Sequence, residues 1–198
     1  MLLSGRFFAY LLRANRPRLD GFRHWLFHPG MLFQSRQQWW GLEQSRPTPH
    51  EGLDLCRFED IAGNRSSLDH STIIPAPFAG TVVKISKDFL GQSIFLAHDI
   101  EPMAGRRLYT ALGHTTPRKS LVAGQAVVEA EIIASVSVPV NRKTAVPPHL
   151  HLTLALIPDT VAPEQLTWKY LSTGTEIRLL NPLDVFPTNF IVIQAPWV

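Results

Sequence analysis

His149-Leu150-His151 and, well upstream, His50-Glu51-Gly52-Leu53-Asp54 carry the side chains a divalent transition metal seeks. Zinc sites that keep a position open for chemistry typically take three imidazole or carboxylate ligands. Two histidines one residue apart on a strand point to the same face, about 6.6 Å from one another. One can hold a metal while the other works beside it. His50 and Asp54 are four residues apart, roughly 13 Å in a straight strand. They share a metal only if the chain bends between them, and Gly52 is the residue that permits a bend.

The elements that must hold these residues follow from the hydrophobic pattern. Leu150, Leu152, Leu154 and Leu156 alternate with His149, His151, Thr153 and Ala155. Strict alternation predicts a half-buried strand, leucines toward a core and both histidines on an open face. Short apolar runs at 73–85, 93–97, 108–112, 126–138, 150–157, 176–180 and 190–193 alternate with glycine and proline. Such spacing predicts an all-β chain, an antiparallel β-sandwich or barrel-like domain. Residues 2–14 read as a short helix stopped before Pro17, and 163–171 as a short helix after Pro163. Phe22, Trp25, Phe27, Phe33, Trp39 and Trp40 load residues 19–48 with aromatic rings. We therefore expect residues 1–48 to be a partly helical N-terminal extension packing on a main domain at 49–198 and roofing one end of its cleft.

Several blocks, in order, resemble the M23 family of zinc metallopeptidases, the lysostaphin and LytM type. His50-Glu51-Gly52-Leu53-Asp54 is similar to its HxGxD segment, and Ile74 to Val83 to its "APxxGxVV" strand. Leu112-Gly113-His114 resembles its "YGHL" segment, and Val122 to Val127 its "VxxGxxV" turn. Pro148-His149-Leu150-His151-Leu152 resembles "PHLHF", and Asn181-Pro182-Leu183 the closing "DPL". The resemblance implies that His50, Asp54 and His151 are ligands to Zn2+, with His149 and His114 as catalytic residues. Zinc lowers the pKa of a bound water to about 7. One neighbouring histidine can take that water's proton and pass it to the leaving amine. The other can donate to the oxyanion. The implied activity is that of an endopeptidase on peptidoglycan or another peptide substrate. The chain departs from the family in a longer, loop-like stretch from Cys56 to Ile73, expected near the cleft. It also has Val138 to Pro148 in place of a glycine-rich approach to the histidine strand.

Relatives without metal ligands act as non-catalytic LytM-like binding or regulatory modules, but all five positions are filled here. Residues 77–83 with 122–127 also resemble biotinyl or lipoyl carriers; Lys84 and Lys87 lack the setting those need, and the histidines would be idle. The formal charge is +3, with Arg6, Arg13, Arg16, Arg18, Arg23, Arg36 and Arg46 all before position 50. A basic N-terminal face could attract an anionic polymer. No nucleic-acid motif is present. The single cysteine, Cys56, excludes an internal disulfide and reads as a buried strand residue. Phe7 to Leu12 is too short for a secretory apolar region, and no apolar run reaches the ~20 residues of a transmembrane span. A cell-envelope location follows from the family role, without a leader to support it.

Overall fold

The computed structural model describes residues 4–41, 45–100, 105–137 and 146–194. Its strands are β1 (Phe22–Phe27), β2 (Leu53–Leu55), β3 (Arg57–Asp60), β4 (Arg65–Ser67), β5 (Ile73–Pro75), β6 (Gly80–Lys87) and β7 (Gln92–His98). They continue with β8 (Arg106–Pro117), β9 (Ala126–Val127), β10 (Ile132–Val136), β11 (Leu150–Pro158), β12 (Arg178–Leu180) and β13 (Phe190–Val192). Helices are α1 (Phe7–Ala14), α2 (Trp168–Thr173) and α3 (Pro182–Val185). The chain is all-β with antiparallel sheets, as the spacing of apolar runs predicts.

One sheet runs β12-β11-β8-β7-β6-β9, with β2 pairing to β11 and β10 to both β5 and the far end of β8. The other runs β13-β1-β3-β4, and there β1 and β13 are parallel.

β11 corrects one expectation. Its leucines do enter the main core, beside Phe7, Trp25 and Leu53. The opposite face is buried too. Ala155 and Ile157 join Phe95, Tyr109, Leu166 and Leu171 in a second cluster, with Trp168 of α2 packed against it. Alternation in sequence cannot show that a helix will cover the second face. Burying each leucine stabilises by about 1.5–3 kcal/mol. A one-residue slip of β11 would turn all four away from that core, so the hydrophobic pattern fixes the register.

The N-terminal segment is part of the core. α1 buries Phe7, Phe8 and Leu11, with Phe7 5.5 Å from Phe186 and Phe8 6.0 Å from Trp25 between ring centroids. The apolar run Phe7 to Leu12 therefore belongs to a packed helix. The start of the expected 2–14 helix lies outside the described residues. Among the described residues no helix is long and apolar enough to cross a membrane. Of the N-terminal arginines, Arg18 pairs with Asp69, and Arg46 turns inward to the carbonyls of Gly30 and Gln37. Those two are not part of a free basic face.

The stretch from Cys56 to Ile73 is not a loop at the cleft. β3 and β4 form a hairpin on the far side of β1 from β13. Its turn is held by Asp60, whose carboxylate accepts from the backbone of Ala62 and Asn64. Local side-chain pairing of this kind closes a turn that composition alone reads as open coil.

His98 gives the fold a pH dependence. Its Nδ1–H donates to the Ala79 carbonyl and its Nε2 accepts from the Thr110 hydroxyl, at 3.1 and 2.7 Å. Burial pushes its pKa down to about 4 from 6.5, against the smaller opposing effects of Ala79 and Asp99. The unfolded chain thus binds a proton that the fold refuses. This contribution is fully present above pH 6.5, is lost as pH falls toward 4, and amounts to about 3 kcal/mol at most. Urea midpoints at pH 7 and pH 4.5 should fall less for His98→Gln than for the wild type; parallel losses would count against this source.

Candidate metal centre

β2 pairs antiparallel with β11 so that Asp54 lies directly across from His151, flanked by Leu53↔Leu152 and Leu55↔Leu150. The leucine register of β11 thus sets one metal-seeking side chain beside another. His50 reaches the same point from the bend before β2. The chain bends at Gly52 as the spacing requires, and glycine is needed there for a second reason. Its backbone is not left-handed. A Cβ would collide with the Leu152 carbonyl, and would lie 2.6 Å from Thr153 Oγ1 and 2.9 Å from His151 Nε2. Only glycine lets β2 approach β11 this closely.

The three side chains converge. His50 Nε2 is 3.2 Å from His151 Nδ1 and 3.3 Å from Asp54 Oδ1, and His151 Nδ1 is 2.7 Å from the same oxygen. All three residues are buried. The remaining ring nitrogens are engaged: His50 Nδ1 with the Leu32 carbonyl at 3.1 Å, and His151 Nε2 with Thr153 Oγ1 at 2.9 Å. Such outer partners choose which nitrogen faces a metal. Four donors around zinc at 2.0–2.1 Å stand about 3.3 Å apart in tetrahedral geometry. The separations and the two-imidazole, one-carboxylate donor set fit Zn2+. Burial alone would raise the Asp54 pKa, but His50, His151 and His149 hold it well below the usual carboxylate range. It is an anion ready for a cation.

His149 and His114 stand beside this trio. His149 Nδ1–H donates to the Pro147 carbonyl at 2.8 Å, which leaves Nε2 facing the site, 3.7 Å from Asp54 Oδ1. Burial lowers its pKa to about 4. The His114 ring lies 4.6 Å from that of His149 and 6.1 Å from that of His151. His114 adopts a left-handed backbone, φ 61°, which is costly outside glycine and concentrates at functional sites. Asp88 holds it there. Its carboxylate accepts the His114 backbone N–H at 2.9 Å and the ring Nδ1–H at 3.2 Å. It also takes the backbone N–H groups of Leu90 and Gly91 and the hydroxyl of Ser93. Burial opposes its ionisation, but these donors, His114 first, keep its pKa far below the usual range.

All but His50 of the expected site residues line one cleft of about 290 Å³, together with Trp40, Arg46, Glu51, Phe89 and Trp168. His50 lies beneath it, fully buried. Trp168 meets His151 edge-on at 4.8 Å and donates its indole N–H to Ser93 Oγ at 2.8 Å. Trp39 meets His149 edge-on at 5.1 Å. Cys56 stands apart from the trio of His50, Asp54 and His151. It is buried, its thiol points to the Pro148 carbonyl at 3.5 Å, and burial pushes its pKa up to about 12. His28 accepts from the Gly30 N–H, His24 lies beside Glu59, and His70 is exposed; none belongs to the trio. Most of the Val138 to Pro148 approach falls outside the described residues.

Sequence reasoning did not single out Asp88, Trp168 or Arg46 for the site. The one available signal was Asp88 heading the turn Asp88-Phe89-Leu90-Gly91, where an aspartate ordinarily serves the turn itself. Its second task, gripping His114, is a long-range pairing.

No family model and no curated protein matches the chain. Among solved structures it is similar to the catalytic domain of the antimicrobial peptidase lysostaphin from Staphylococcus simulans. That likeness has 18% identity and a TM-score of 0.39, covering 63% of this chain and 80% of that one. It is similar to a mutant catalytic domain of the prophage-encoded M23 protein EnpA from Enterococcus faecalis, at 17% identity and TM-score 0.39, over 72% and 94% of the two chains. A chain of the SpoIIQ–SpoIIIAH pore-forming complex is similar at 14% identity and TM-score 0.47, over 94% and 92%. All three likenesses are at low identity with TM-scores under 0.5, and the case for chemistry rests on the residues described above.

Proposed function

We propose that the protein is a zinc-dependent endopeptidase that hydrolyses peptide bonds of peptidoglycan. The observation that carries this reading is the convergence of His50, Asp54 and His151, whose ligand atoms lie within 4.8 Å of one another. Two further histidines face the same cleft, which is what separates a hydrolytic site from a structural metal site. A structural zinc is closed by four protein ligands, whereas three ligands leave room for substrate and water.

His50 Nε2, His151 Nδ1 and Asp54 Oδ1 are the atoms that would hold the ion. When bound, zinc supplies a water of lowered pKa and polarises the carbonyl to be attacked. His149, its Nδ1–H committed to Pro147, offers Nε2 as proton acceptor. It takes a proton from the water as the new C–O bond forms, and returns it to the amide nitrogen as the C–N bond breaks. His114, anchored through Nδ1 by Asp88, presents its other edge toward the cleft. Its Nε2 edge would donate to the developing oxyanion, with the Asp88 carboxylate holding the ring in place. Trp40, Phe89 and Trp168 wall the cleft with apolar surface that limits water around these groups.

Metal analysis tests the reading. Wild-type protein should bind one zinc, and His151→Ala and Asp54→Ala should each lose it, since either leaves two ligands. Fragments should be released from purified sacculi by wild type alone. Absence of metal from wild type under replete zinc would overturn the site. Zinc binding with no release of fragments would turn the reading toward a non-catalytic peptidoglycan-binding module.

A further inference from the structure

The carboxylate of Asp54 is divided between two sets of partners. Oδ1 faces the three histidines, at 2.7 Å from His151, 3.3 Å from His50 and 3.7 Å from His149. Oδ2 faces the N-terminal segment. It accepts the indole N–H of Trp39 at 2.6 Å, and the Arg46 guanidinium approaches it at 3.4 Å. Both donors come from a stretch that none of the metal-binding motifs includes. Each is held in turn: Trp39 is buried and sits edge-on to Trp40, and Arg46 stacks over the Trp40 ring while donating to Gly30 and Gln37.

From this division we infer that Trp39, supported by Arg46, is a positioning residue for the metal centre: it occupies Asp54 Oδ2, so that the carboxylate ligates through Oδ1 alone. The inference rests on the metallopeptidase reading and deepens it. A carboxylate with both oxygens free can grip a cation with two points. Here the second oxygen is already satisfied by a short N–H···O bond in a buried setting, where hydrogen bonds to a charged acceptor are strong. One-point ligation keeps the protein's contribution at three donor atoms and leaves coordination space for substrate and water. The same indole touches the His149 ring, so one side chain fixes both the ligand and the proton acceptor. On this account the N-terminal segment completes the metal centre.

The N–H itself can be removed with little change of shape. Trp39 is replaced by its sulfur isostere, β-(3-benzothienyl)alanine, in the full-length chain. Zn2+ affinity is measured by chelator competition, and visible absorption is recorded for the Co2+ form. Loss of an outer partner of a ligand typically costs 10–100-fold in metal affinity. The isostere should therefore bind Zn2+ about 10–100-fold more weakly, and its Co2+ absorption should weaken as Asp54 adds a second contact. Thermal unfolding of the metal-free proteins checks that the variant is folded, and Trp39→Phe, measured the same way, serves where the isostere is poorly folded. Unchanged affinity and an unchanged Co2+ spectrum in a folded variant would overturn the positioning role and leave the metal site standing. A wild type that binds neither Zn2+ nor Co2+ would remove the metallopeptidase reading, and this inference with it.

Discussion

A His149→Ala protein is expected to keep its zinc and to release fragments from sacculi about 10²–10⁴-fold more slowly than wild type. The two halves of that expectation come from different atoms. The converging ligand atoms belong to His50, Asp54 and His151, and His149 Nε2 stands farther out, 3.7 Å from Asp54 Oδ1. Its ring is oriented by the Pro147 carbonyl on one side and the Trp39 edge on the other. On the proposed assignment, losing it leaves the three metal-seeking side chains in place and removes the proton acceptor. Zinc lost together with His149, or a rate within tenfold of wild type, would show that its role has been misassigned.

Gly52→Ala is expected to damage stability and metal binding together. The added methyl would meet the Leu152 carbonyl, Thr153 Oγ1 and His151 Nε2, two of the three belonging to side chains at the site. Overpacking of this sort costs about 1–3 kcal/mol, equivalent to roughly 2–12 °C in Tm for a chain of this size. Relief can come only by moving β2 off β11, which separates Asp54 from His151. Zinc affinity should fall with Tm, by tenfold or more. A variant with full zinc and an unshifted Tm would mean that the close approach of β2 is not what assembles the site.

The alternating leucines of β11 made the histidine strand legible, because period-two hydrophobicity survives any detail of packing. The His50 to Asp54 spacing was legible as a pair needing a bend. The bend at Gly52 was legible too, but the lack of room there was not, since it depends on Leu152 and Thr153, a hundred residues away. The second covered face of β11 was hidden in the same way, because Leu166 and Leu171 become neighbours only after the chain has returned. Asp88 and Arg46 lie in turns and connecting segments without periodicity. Their side chains do their work through contacts with His114 and Asp54 that no local pattern encodes. The Cys56 to Ile73 stretch failed for the opposite reason: its composition is that of a loop, yet Asp60 closes it into a hairpin.

The parallel pairing of β1 with β13 bears on the order of assembly. Trp25, Leu26 and Phe27 meet Phe190, Ile191 and Val192, so this contact joins segments made at widely separated times during synthesis. Closing so long a stretch of chain carries a large entropic cost that only late-formed contacts repay. The hairpins of β6, β7 and β8 join near neighbours and need no such wait. Folding is thus expected to run from the middle outward, with the strand that seats the N-terminal segment secured last. A chain truncated before Phe190 would then carry a folded central sheet in which the amide protons of β1 exchange faster than in the full-length chain.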